Sequence, residues 1–268
     1  MTPQLQTLDC KDNVRLGFRF WGDPVDPTVL FLHGLGANQR QFEADAAYFA
    51  QDGIYSALTV DLRGHGASKA PDPLRRETVT IEAMAEDIRQ LIAALSLKRV
   101  HLVGNSMGGL VALVLLDLLP LYVRSLTTFG TTYSLSFPLG VPTLQNLIYR
   151  MIGPKKLPDF IADKATKHDQ ARPIIREMFE QFSPRLTYLT AQNIRKYDYR
   201  RQAFDFDGPI LMLRGEDDRD INNNLKPTLK RLRKKKNFHL VEIADAGHFM
   251  NLDQPDAIRQ EIEKFLPR

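Results

Sequence analysis

The sequence has a single cysteine, Cys10, so no disulfide can form within the chain. That usage fits a reducing compartment and argues against a disulfide-built scaffold. No Cys/His cluster has zinc spacing. No Gly-x-Gly-x-x-Gly and no P-loop follows the first strand-like segments. Neither a metal nor any other cofactor is therefore expected. Long apolar runs are lacking too: the longest, Leu110 to Leu119, is too short to span a bilayer and contains Asp117. Met1 to Asp9 has no basic n-region and no apolar h-region. The expectation is a cytoplasmic protein with no signal peptide and no stable membrane insertion. No internal repeat and no low-complexity segment is present.

Charge of one sign is not strongly in excess. The net charge is +4 and the pI about 9.1, and much of the surplus sits between Lys226 and Lys236. A nucleic-acid or anionic-membrane patch is one reading of that run. A solvated helix end is preferred, because cations favour a helix C-terminus; no nucleic-acid partner is expected. The 268 residues are 43% hydrophobic and 25% charged. Those totals suit one soluble α/β domain with room for an insertion.

What the chain does contain is Val103-Gly104-Asn105-Ser106-Met107-Gly108-Gly109. A short apolar run from Val100 precedes it and reads as a buried strand; the aliphatic run to Leu119 reads as a buried helix. A serine at the apex of a tight strand-to-helix turn is held in a strained backbone. The residues two before and two after it crowd strand against helix, and Gly104 and Gly108 meet that need. The Met107 amide then lies at a helix N-terminus, where N–H groups are unpaired and negative charge is favoured. One turn so offers a nucleophile and an oxyanion donor. The pattern alone arises by chance in roughly one chain in ten of this length. The rest of the chain must supply a base, an acid and a second donor.

Short strands are read at Val14 to Trp21, Thr28 to Leu32, about Tyr55 to Val60, Val123 to Phe129, Pro209 to Arg214 and Phe238 to Ile243, wholly apolar at Thr28 to Leu32 and largely so at Pro209 to Arg214. Helices are read at about Arg40 to Gln51, Ile81 to Leu95, Asn224 to Lys234 and Gln254 to Phe265. Such alternation predicts a parallel sheet with ligands beyond the strands' carboxyl ends. It lapses between Thr131 and Phe204, a stretch punctuated by prolines and rich in aromatics. Short helices at Leu144 to Ile152 and Ile174 to Phe182 predict a helical lid there. Residues 131–204 are thus expected as a lid on a core of 1–130 and 205–268. Two ordinary crossover helices with long loops are the alternative. Phe137, Leu139, Leu147, Met151, Phe160, Phe179 and Phe182 serve either the lid's own core or the pocket wall.

A serine hydroxyl needs a base, and the base a carboxylate. Of the histidines after Ser106, His168 falls in the lid and His239 within a strand. His248 follows a strand end and is the expected base. The acid is expected after Pro209 to Arg214, where Asp217, Asp218 and Asp220 lie. Asp218 is chosen and Asp217 is second, with a structural pairing to Arg214 or Arg219 as its other role. The second oxyanion donor is the Leu35 amide, with Gly34 and Gly36 opening the backbone to substrate. His33, Asp61 and His65 read as braces of their loops.

With His33-Gly34-Leu35-Gly36, Asp61-Leu62-Arg63-Gly64-His65-Gly66, the Ser106 elbow, Gly215-Glu216-Asp217-Asp218 and Gly247-His248 in this order, the chain resembles the α/β-hydrolase superfamily, in particular its lidded single-domain enzymes. The resemblance covers all but the lid. It implies an α/β-hydrolase fold: a mostly parallel central sheet flanked by helices, with an inserted helical lid. It also implies a serine hydrolase of a small, largely apolar ester or lactone, with His33, Gly34, Phe137 and Phe249 near the substrate. Ser106 argues against the dehalogenases and epoxide hydrolases of the superfamily, which carry aspartate at the elbow. Gly-Asn-Ser-Met-Gly-Gly is similar to the elbow of C–C hydrolases of ring-cleavage products, so cleavage of a vinylogous diketone is the alternative reaction. Their longer oxyanion loop is absent here. The stretch Gly247 to Pro255 looks closer to esterases and enol-lactonases. A non-catalytic ligand-binding module on the same fold is the remaining alternative. The sequence sets neither the acyl and alcohol parts nor the oligomeric state.

Overall fold

The computed structural model describes residues 2–24, 26–138 and 140–266. Ten strands are described: β1 Gln6–Asp9, β2 Arg15–Trp21, β3 Thr28–Leu32, β4 Ser56–Val60, β5 Val100–Asn105, β6 Val123–Phe129, β7 Ser134–Ser136, β8 Lys196–Asp198, β9 Ile210–Gly215 and β10 Phe238–Ile243. Eight of them form one sheet in the order β1-β2-β4-β3-β5-β6-β9-β10. The β1–β2 and β2–β4 pairs are antiparallel, and every later pair is parallel. This is the mostly parallel sheet read from the sequence, with one added edge strand. β1 escapes the sequence reading because its four residues are largely exposed and show no apolar alternation.

The helices are α1 Glu43–Ala50, α2 Ile81–Ala94, α3 Met107–Leu118, α4 Gly140–Ile152, α5 Leu157–Ala165, α6 Arg172–Glu180, α7 Pro184–Ile194, α8 Arg200–Asp205, α9 Arg219–Asn222, α10 Lys226–Leu232, α11 Met250–Asp253 and α12 Pro255–Phe265. Side chains alternate across a strand, and β3 uses both faces. Leu30 and Leu32 join Met84, Ile88, Leu91 and the apolar side chains of α3 on one side. Val29 and Phe31 join Phe42, Phe49, Ile258 and Ile262 on the other. Each fully buried aliphatic side chain contributes about 1.5–3 kcal/mol to this sandwich. α2 starts where Thr80 accepts a hydrogen bond from the Ala83 N–H and caps the helix.

Between β6 and β9 the chain leaves the sheet. Pro142, Pro158, Pro173 and Pro184 sit in the first turns of α4 to α7, where the missing N–H breaks no helical bond. Four of the six prolines that punctuate this stretch are therefore helix starts. β7, before α4, and β8, after α7, pair antiparallel as a two-stranded ribbon. Leu157, Ile161, Ile175, Met178 and Phe179 form a separate apolar cluster. It is completed by Ala37 and Phe249 from loops beyond the strand ends and by Leu252 of α11. Leu139 lies outside the described residues. No helix among the described residues is long and apolar enough to cross a membrane.

Candidate active site

β5 delivers Ser106 to the apex of the turn into α3. Its φ of 53° and ψ of −116° are a strained conformation for a side chain with a Cβ. The crossing is tight. A Cβ on Gly104 would lie 2.6 Å from Gly109 N, and one on Gly108 would lie 2.0 Å from Leu32 O. The Ser106 amide donates to Phe129 O of the neighbouring strand (2.9 Å), which fixes the turn to the sheet. Met107 opens α3, so its N–H has no partner within the helix.

The loop after β3 faces this turn. His33 is buried; its Nδ1 hydrogen-bonds Gly34 O (2.8 Å) and its Nε2 accepts from the Leu62 N–H (2.9 Å). That pair of bonds sets the tautomer: Nδ1 carries the proton. Burial pushes the His33 pKa down to about 4 and that of its neighbour His65 to about 3, so both rings are neutral. Gly34 O also accepts from the Ala37 N–H (3.2 Å). The amide on the other side of that peptide, Leu35 N–H, makes no hydrogen bond among the described residues. Asp61 braces the adjacent loop, accepting from Gln39 N (2.6 Å), Gln39 Nε2 (2.8 Å) and Ala67 N (2.8 Å).

At the end of β9 the turn places Asp218, not Asp217, against His248. Asp218 Oδ2 accepts from His248 Nδ1 at 2.9 Å, and its side chain is almost fully buried. Asp217 instead meets Lys167 Nζ at 2.7 Å. Arg214, expected as a partner of Asp217, pairs with Glu242. Burial draws the His248 pKa down, but the charge and hydrogen bond of Asp218, with the charges of Asp220 and Asp253, outweigh it and hold the pKa above the ordinary histidine value. Asp253 Oδ2 accepts from the Gly247 N–H (2.8 Å) and fixes the turn that carries the imidazole.

Three residues that the sequence reading passed over tie these pieces together. Asn105 Nδ2 donates to His248 O (3.1 Å), and Asn105 Oδ1 accepts from Gln41 Nε2 (3.1 Å). Asn251 Nδ2 donates to Gln41 O (2.9 Å) and to Asp45 Oδ2 (2.8 Å). Asn105 and Asn251 lie inside motifs already singled out. Gln41 has no such signal, because its partners are remote in sequence.

One cavity of about 670 Å³ joins the parts, within the usual range for a small-molecule site. Ser106, His248, Gly34, Leu35 and Phe249 line its floor; Phe160, Phe179, Phe182 and Tyr149 wall it from above. Two expected substrate neighbours are not in that wall. His33 lies buried behind it, and Phe137 is a half-exposed residue held by its amide to Arg195 O (2.7 Å) beside the β7–β8 ribbon. Leu147 and Met151 belong neither to the wall nor to a core: both face solvent. The arrangement can draw a proton from a serine to an imidazole whose far nitrogen is held by a carboxylate. It can also offer unpaired amides to a developing negative charge. Cys10, the only thiol, is no rival nucleophile: burial and Asp87 push its pKa up to about 12. No metal-ligating cluster occurs among the described residues.

Comparison with known proteins agrees with this architecture. A family model described as "alpha/beta hydrolase fold" matches residues 27–255. The chain is 28% identical over 265 residues to the sn-1-specific diacylglycerol lipase ABHD11 of Mus musculus, covering 91% of this chain and 82% of that protein. Among solved structures, a hydrolase from Pseudomonas aeruginosa PA01 superposes with a TM-score of 0.85 at 20% identity, over 99% of both chains. The enol-lactonase from Burkholderia xenovorans LB400 gives 0.83 at 22%, over 97% of this chain and 99% of that one. The sheet order, the serine turn and these matches lead to one assignment: the chain belongs to the alpha/beta hydrolase family.

Proposed function

We propose that the protein is a serine hydrolase that cleaves a carboxylic ester or lactone of a small, largely apolar substrate through an acyl-enzyme. The observation that carries this reading is the strained Ser106 opening on the same cavity as His248, whose Nδ1 is held by the buried Asp218. His248 Nε2 takes the hydroxyl proton as Ser106 Oγ attacks the carbonyl carbon. The Leu35 and Met107 amides receive the oxyanion. Collapse expels the alkoxide, which leaves with the proton from His248. Water, deprotonated by His248, then attacks the acyl carbon and regenerates Ser106. Asp218 holds the imidazole and stabilises its charge.

Residues 131–204 act in this reading as a lid on a core of 1–130 and 205–268. Phe160, Phe179 and Phe182 over the cavity support an apolar acyl or alcohol group and exclusion of water. The relation to a protein named as a diacylglycerol lipase supports an ester substrate. No cofactor takes part. The test is reaction with a fluorophosphonate followed by mass spectrometry. Labelling is expected on Ser106, is absent in Ser106→Ala and is slowed at least about a hundredfold in His248→Ala. An unreactive Ser106 in folded protein would favour the non-catalytic module.

A further inference from the structure

α4 is built with its apolar side outward. At 3.6 residues per turn, Val141, Leu144, Leu147, Ile148 and Met151 share an arc of about 120°. All five are exposed, Leu147 to 53%, Leu144 to 59% and Met151 to 79%. They are five of the twelve exposed large hydrophobic residues described in the whole chain, gathered on thirteen residues. The opposite side of the helix is the one in use: Pro142 is buried, Tyr149 packs against Phe182, and Gln145 and Tyr149 line the cavity that holds Ser106. An isolated exposed leucine needs no explanation, but a contiguous stripe on a helix above a site does.

The charges around the stripe say what covers it. From Leu118 to Pro158 the sequence contains no aspartate or glutamate. Arg150 flanks the stripe, and Lys155 and Lys156 lie in the link between α4 and α5. All three are exposed, and none makes an ion pair among the described residues. A second copy docked helix to helix would set these cations against their own copies, with no carboxylate on α4 itself to pair them. An anionic lipid surface satisfies both features at once: the apolar stripe enters the acyl boundary and the cations meet the headgroups.

We propose that α4 is the element by which this protein adsorbs to an anionic lipid surface. The binding involves no spanning segment. It does not depend on the reaction proposed above, so it is read without turnover. The experiment floats the full chain on density gradients with vesicles of phosphatidylcholine alone and of phosphatidylcholine with phosphatidylglycerol. It compares wild type with Leu144→Glu/Met151→Glu and with Lys155→Glu/Lys156→Glu. Thermal melting checks that the variants fold, which the exposure of all four positions favours. Wild type is expected to float with the anionic vesicles and at most weakly with the neutral ones, and each variant to bind at least about tenfold more weakly at unchanged melting temperature. Wild type that stays at the bottom of the anionic gradient overturns the proposal. So do variants that bind like wild type, since the contact would then lie elsewhere. Sedimentation showing a dimer that Leu144→Glu/Met151→Glu dissolves, without vesicle binding, would make the stripe a contact between copies instead.

Discussion

Asp217 and Asp218 are neighbours in the sequence, and only the turn after β9 decides which meets His248. Its backbone bonds, Asp217 N to Ala246 O (2.9 Å) and Asp218 N to Gly215 O (3.3 Å), aim the second carboxylate inward and leave the first to Lys167. Sequence narrows the acid to this turn but carries no one-residue register for it. Asp218→Asn is expected to lower kcat/KM about a thousandfold or more, because the imidazole loses its orientation and charge partner. Asp217→Asn should change it less than about threefold. The pH profile follows from the raised His248 pKa. In the proposed reaction activity requires the neutral ring, so the acid limb should lie above the ordinary value of about 6.5 in wild type and move down in Asp218→Asn. Stability runs the other way. A raised folded pKa gives a contribution that is complete below the unfolded value and fades as pH rises through the folded one. Denaturant titrations should therefore show Asp218→Asn more costly near about pH 6 than near about pH 9.

At the scale of elements, the elbow was the most legible part of the chain because sterics leave it few solutions. Gly104 and Gly108 are required by backbone atoms of α3 and β3, not by flexible side chains. Gly108→Ala drives a methyl into the Leu32 carbonyl and should cost at least about 3 kcal/mol, seen as a lowered urea midpoint or failure to fold. Asn251→Ala removes the partner of Gln41 O and Asp45 Oδ2, both buried, and should cost about 3 kcal/mol by the same measurement. What sequence left dark has physical reasons. β1 is short and exposed. The start of α7 looked like a break because Pro184 follows its cap Ser183, which accepts from the Leu186 N–H. The α4 stripe has the period of a buried face, and period alone does not say which way the face points.

Across the whole molecule, the loops at the sheet's strand ends hold Ser106, Asp218 and His248, and the helices between β6 and β9 shape the space above them. Phe179 is buried against Phe249 and packs on Phe182, so one apolar wall spans both parts. In the proposed reaction that wall sets the size of the substrate. Phe182→Ala is expected to shift the optimum of an ester series toward longer or bulkier acyl chains, with kcat for acetate changed less than about threefold. An unchanged optimum would take Phe182 out of the binding wall.

Hydrolysis of a p-nitrophenyl ester series from acetate to decanoate, by wild type and by Ser106→Ala with intact melting behaviour, tests the central claim most directly. The nucleophile assignment expects turnover by wild type and a loss on the order of 10⁴-fold or more in the variant. Full activity in Ser106→Ala would contradict it.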